Sequence, residues 1–148
     1  MNWTLLDYLV ASVLLASTGA GYWVATRTAR SIWHHFGVII AVCGGLLMMW
    51  VQLAVGLIGD GSHPANTMLL LVLPLGAAGA LLSRFRAEGL RSCMVVVAGI
   101  QVMTGAVLLI LLGPDQFSDI MLVTALFAGA WATSAGFFHL AVRHQNQA

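Results

Sequence analysis

The chain has 148 residues, 60% of them hydrophobic and only 7% charged, with a net charge of +1. Soluble domains carry about 25% charged residues, and a chain this short cannot hide so much apolar surface in one core. A water-soluble fold is therefore excluded, and so is a nucleic-acid partner, which would require a basic face.

A bilayer-spanning helix needs about 20 apolar residues. Five runs meet or approach that length, over 4–26, 32–58, 65–83, 92–112 and 118–142. They predict an all-α protein: one transmembrane domain of five antiparallel helices joined by short connections.

Span one opens on Thr4-Leu5-Leu6-Asp7, a capping-box pattern in which Asp7 reaches back to free backbone N–H groups. It is not read as a cleaved secretory signal, because it lacks a basic leader and carries Asp7, and bulky aromatics follow its small residues. Ser31, Ser92 and Ser118 stand before spans two, four and five as candidate N-caps. Pro64 suits the first position of span three, where its missing N–H costs nothing. Pro74, inside that span, leaves the Leu70 carbonyl without its partner and predicts a kink. Cys43 and Cys93 are too far apart along the spans to predict a disulfide.

Orientation follows from arginine, which supplies all the basic charge. Arg27 and Arg30 lie between spans one and two, Arg84, Arg86 and Arg91 between three and four, and Arg143 after span five. The other connections carry Asp60 and Asp115 and no arginine. The positive-inside rule then places the N-terminus outside and the C-terminus in the cytoplasm, which an odd number of spans requires. The location expected is a bacterial inner membrane, with anionic headgroups at the arginine-rich face. Trp3, Tyr8 and Trp131 are expected toward the outer interface, Tyr22, Trp23 and Trp33 toward the inner one, and Trp50 in a packing position.

The run from Trp50 to Met68 and the turn at Arg84-Phe85-Arg86 carry a resemblance. Trp50, Ala54-Val55-Gly56, Ile58-Gly59, Pro64-Ala65-Asn66 and Arg84-Phe85-Arg86 match a pattern seen in a group of small bacterial inner-membrane proteins. The resemblance covers about two thirds of the chain, from span two to span four. His63 and Ala87 depart from it, standing where that group has Asn and Pro. The group carries no assigned activity, so the resemblance implies the architecture and nothing of function. A likeness of Pro-Ala-Asn to the Asn-Pro-Ala turns of aquaporins fails, because those need two such turns meeting at mid-membrane.

Chemistry-bearing residues are few. The turn Gly59-Asp60-Gly61-Ser62-His63-Pro64-Ala65-Asn66 reads first as a capped reversal, with Ser62 or Asn66 as the cap. The competing reading is a polar site, in which the N-terminus of span three favours an anion and Asp60 with His63 binds a metal or passes a proton. His34, His35 and His139 lie at one depth on two helices, the arrangement axial haem ligation requires; the plainer reading is interfacial histidine among arginines. Gln52 and Gln101, the polar residues within the spans, read as a pair bonded across helices. No ionisable group sits mid-span, which disfavours a pump. Small residues recur in span five (Ala125, Gly129, Thr133; Ala128, Ala132, Gly136) and in span three (Gly76, Gly79, Ala80). They are expected to serve internal packing first and oligomer contacts second. Met48 and Met49 read as gap-filling core.

The function expected is that of a non-enzymatic accessory subunit of a larger membrane complex or a small homo-oligomer. A small oligomeric transporter or channel, and a haem- or quinone-handling redox protein, are the alternatives. The topology is directly testable. A reporter joined after Ala148 should behave as cytoplasmic, and a thiol placed at Ser62 should react with an impermeant reagent added outside intact cells. Labelling of Ser62 only after the cells are opened would reverse the assignment.

Overall fold

The computed structural model describes residues 5–54, 56, 58 and 64–147. The described residues form helices and no strand, in the order α1 (Leu5–Thr26), α2 (Ile32–Ala54), α3 (Pro64–Leu70), α4 (Val72–Leu82), α5 (Ala87–Leu112) and α6 (Phe117–Gln147). With α3 and α4 counted as one, five helices are long and apolar enough to cross a membrane. The all-α class and the span count expected from the apolar runs therefore hold. Thr4, Trp3, Gly59, Asp60, Gly61, Ser62 and His63 lie outside the described residues.

Helix ends differ from expectation where local backbone chemistry decides them. α2 stops at Ala54 rather than 58, because Gly56 takes a φ of 86° and its N–H closes on the Val51 carbonyl at 3.1 Å. That six-residue closure satisfies one of the orphan carbonyls of a helix C-terminus. α5 begins at Ala87, more than a turn before the expected cap Ser92. Ser92 sits inside the helix, its hydroxyl donating to the Glu88 carbonyl at 3.2 Å. Ala87 and Glu88 are good helix formers, and an acid in the first turn suits the helix dipole. α6 is likewise entered through a short 3₁₀ turn, Pro114–Gln116, so Ser118 is helical rather than a cap. Its last turns carry it past 142 to Gln147. Ser31 does cap α2, accepting from the His34 N–H at 3.4 Å. The Pro74 kink takes the form of a break at Leu71, between α3 and α4, one residue beyond the carbonyl that proline leaves unpaired.

α6 packs along both α5 and α2, while α1 packs on α2 and α4 on α5. Glycines on the flanking helices admit the bulk of α6. A Cβ at Gly37 would lie 2.9 Å from the Phe138 ring, one at Gly44 would lie 3.3 Å from Trp131, and one at Gly105 would strike the Thr124 side chain. Phe127 and Phe138 are among the largest fully buried side chains. A buried hydrogen bond from the Ser134 hydroxyl to the Gly37 carbonyl, 2.8 Å, ties α6 to α2. In span three the expected role of small residues holds: Gly76 faces Val97 and Gly79 faces Cys93, so α4 and α5 approach closely. Cys43 and Cys93 are both free.

Three expectations are corrected. The span-five stripe is not an internal seam: Ala125, Gly129, Ala132, Thr133 and Gly136 are exposed, and a Cβ at Gly129 or Gly136 would meet nothing within 4 Å. Small residues mark a face able to approach another helix, and periodicity alone cannot say which face is used. Trp131 is buried at 3% exposure against Gly44 instead of lying at an interface, and Trp50 is 39% exposed instead of buried in the core. The expected result of this arrangement is a pair of opposite outcomes. Gly105→Leu should overpack the α5–α6 seam and cost roughly 1–3 kcal/mol, whereas Gly129→Leu should leave melting in detergent within about 0.5 kcal/mol. Equal losses would place Gly129 in an internal contact after all.

Candidate functional site

Asn66 is 2% exposed, and its side-chain amide bonds backbone outside its own helix. Its Oδ1 accepts from the Ile58 N–H at 2.8 Å and its Nδ2 donates to the Ile58 carbonyl at 3.0 Å. The amide thus reproduces the pairing of a second backbone strand and ties the chain after α2 to the start of α3. Pro64 is the first residue of α3, as its missing N–H predicts. The rest of the expected polar site (Asp60, Ser62, His63) falls outside the described residues.

The histidines do not converge: His34 and His35 contact α1, and His139 contacts α5. His34 is fully buried, and its Nε2 lies 3.1 Å from the Ala25 carbonyl. A carbonyl only accepts, so Nε2 holds the proton, and His34 satisfies an orphan carbonyl in the last turn of α1. Its ring packs edge-on against Phe138. His35 lies 3.4 Å from the Tyr22 hydroxyl, and exposed His139 lies 3.3 Å from the Arg91 guanidinium. Among the described residues no group of three or more His, Cys, Asp or Glu could hold a metal.

The expected glutamine pair does not form. Gln101 is fully buried with neither amide atom hydrogen-bonded, and Gln52 is half-buried on α2. Gln101 lies on α5 and Gln52 on α2. Nothing in the structure explains the unpaired amide of Gln101.

The feature that sequence reasoning missed is a cleft. α1 and α4 each pack on one neighbour, which leaves a lateral opening between the α1–α2 pair and α4. Its volume is about 440 Å³, within the ordinary range for small-molecule sites. The walls are short side chains, Gly21, Ala25, Ala41, Gly76, Ala77 and Ala80 among them, and Trp131 and Phe138 of α6 form the floor. Ser17 and Thr18 are the polar residues lining it, and both hydroxyls donate to the Leu14 carbonyl of their own helix. The lining runs from Leu14 to Ala25 along α1, a length of about 16 Å at the rise of an α-helix. The sequence signal was present as small residues in spans one, two and three, of which only those of span three were read, as a packing face.

One end of the cleft is bounded by the turn between α4 and α5, whose Phe85 lines it. Arg84 and Phe85 take φ values of 50° and 56° there, a left-handed conformation that costs a non-glycine residue roughly 1–2 kcal/mol. The Phe85 N–H bonds the Ala80 carbonyl at 3.1 Å and the Arg84 N–H bonds the Leu81 carbonyl at 3.0 Å, which closes α4 with arginine where glycine is usual. The Thr28 hydroxyl donates to the Phe85 carbonyl at 2.8 Å, joining this turn to the α1–α2 connection. No protein-family model, curated protein or solved structure matches the chain.

One substitution separates the two roles open to Asn66. As a tie to Ile58 it needs both a donor and an acceptor, so Asn66→Asp and Asn66→Ala should each lower stability by roughly 1–3 kcal/mol. A helix cap would tolerate Asp. Detergent melting of the two variants distinguishes them, and an unaffected Asn66→Asp would restore the capping role.

Proposed function

We propose that this is a non-enzymatic, multi-pass protein of the bacterial inner membrane that holds a lipid hydrocarbon chain inside its bundle. Neighbouring spans run antiparallel, with the N-terminus outside and the C-terminus in the cytoplasm. The one-sided arginines support the orientation. Two pairs along one seam support the antiparallel course: Gly105 meets Thr124, and Arg91 meets His139. The resemblance to small bacterial inner-membrane proteins supports the location.

The observation that carries the functional reading is the cleft, which is apolar along its length and opens between helices instead of into a loop region. A water-soluble guest would find almost no polar partner there. A hydrocarbon chain would replace lipid contact with contact to small residues and to the Trp131 and Phe138 rings. The lining presents no Asp, Glu, Lys, Arg or His, which supports holding over proton-coupled transport or acid–base catalysis. Such a protein would serve as an accessory component that keeps a lipid in place.

Gly21 offers a clean test, because it lines the cleft and a Cβ added there meets nothing within 4 Å. Gly21→Phe should fill the cleft without displacing a neighbour. Protein purified in mild detergent should then retain several-fold less lipid than the unaltered chain, with melting unchanged or raised. Equal lipid retention by both would overturn the reading.

A further inference from the structure

A second concavity, of about 510 Å³, lies on the far side of the Phe85 turn. It is lined by Arg27 and Arg30 from the α1–α2 connection and by Arg84 and Arg86 from the turn before α5. Among the described residues no carboxylate lines it. We infer that this pocket binds the phosphate of an anionic lipid whose hydrocarbon chain occupies the neighbouring cleft, so that the two cavities form one amphiphile site. The inference rests on the chain-holding reading above and names the headgroup that reading left open.

Three observations carry it. The first is convergence. A one-sided charge bias would be met by arginines scattered over the surface, and Arg91 and Arg143, which share the bias, do not line the pocket. The four that do come from two separate connections, held together by the bond from the Thr28 hydroxyl to the Phe85 carbonyl. Guanidinium groups gathered without a counter-charge repel one another, and a phosphate relieves that repulsion while accepting several forked hydrogen bonds.

The second is the helix end. α5 is 26 residues long, and its N-cap, Arg86, makes no side-chain capping bond. Ala87, the first residue of α5, lines the pocket. Uncapped N–H groups and the positive end of a long helix add to the arginines and favour an anion at the same place. Glu88 sits in that first turn but does not line the pocket.

The third is continuity. Arg84, Phe85 and Arg86 are consecutive, with the two arginines lining the charged pocket and Phe85 lining the apolar cleft. Across from them, Ala25 lines the cleft and Arg27 the pocket, two residues apart on the same chain. The Arg27 guanidinium stacks over Trp23 at 3.6 Å, an aromatic–cation pair of the kind that settles at a membrane interface. A lipid phosphate at the pocket would therefore have its chain in the cleft on the other side of this turn, past the bond between Thr28 and the Phe85 carbonyl. The left-handed conformation at Arg84 and Phe85 has a use in this arrangement, since it turns consecutive side chains to opposite cavities.

The test uses the full chain in nanodiscs of phosphatidylcholine, doped either with phosphatidic acid or with diacylglycerol of the same chains. Lipid retained after release is counted by native mass spectrometry. The two dopants differ only in the phosphate. The unaltered protein should retain phosphatidic acid over diacylglycerol by about tenfold or more. The paired variant Arg84→Gln with Arg86→Gln should abolish that preference, and Arg27→Gln with Arg30→Gln should do the same from the other connection. Gly21→Phe should lose both lipids. Inorganic phosphate added to the unaltered protein should not displace phosphatidic acid.

Equal retention of the two dopants by the unaltered protein would overturn the headgroup site and leave the chain-holding cleft standing. Retention of neither, with Gly21→Phe indistinguishable from the unaltered chain, would overturn the cleft itself. Displacement by inorganic phosphate at matched concentration would make the pocket a site for free anions, and the link to the cleft would fail. The comparison of dopants on the unaltered chain holds even if an arginine variant does not fold.

Discussion

Everything in this bundle is arranged about the large side chains of α6. Phe127, Trp131 and Phe138 are buried, and they fit because Gly44 and Gly37 of α2 withdraw at the last two. Lipid supplies no hydrophobic drive between helices, since its tails are as apolar as the side chains, so close packing and a few buried hydrogen bonds must hold the spans together. The bond from Ser134 to the Gly37 carbonyl is one of these. With α6 occupied on two sides, α1 and α4 are left to pack on the outer helices α2 and α5. Neither can reach α6 fully, and the space between them is the cleft.

Satisfaction of backbone groups explains most of the polar residues that drew attention in the sequence. In a medium without water each free N–H or C=O costs several kcal/mol. His34 answers the Ala25 carbonyl, Asn66 answers both groups of Ile58, and Thr28 answers the Phe85 carbonyl. Each reaches eight or more residues along the chain, beyond the span of a local cap. Two of the serines expected as caps, Ser92 and Ser118, sit inside helices that start earlier than expected.

The fold class and the number of spans were legible because they depend on composition over about 20 residues, a quantity that local detail cannot disturb. The proline effects at Pro64 and Pro74 were legible because they follow from one missing N–H. Contact between helices was not. Gly105 and Gly129 look alike in a list of small residues, yet one is closed by Thr124 and the other opens on nothing. The same limit hid the candidate site. Arg27, Arg30, Arg84 and Arg86 were read as an orientation signal spread over two connections, and only the tie through Thr28 shows them as neighbours around one concavity. Residues chosen for their chemistry, His35 and His139 among them, turn toward different helices.

The uneven burial of the spans has a consequence for how the bundle loosens. Only 6% of the apolar window of α1 is buried, against 33% for α6. α1 leans on α2 alone, with His34 as its deepest polar attachment. Detaching it would expose lipid-compatible surface and break few hydrogen bonds, so its opening belongs to the low end of the local-unfolding scale, while α5 and α6 open only with the whole molecule. The wall of the cleft that departs first is therefore the one nearest the surrounding bilayer. A guest could enter sideways through a transient gap beside α1, with the rest of the fold at rest.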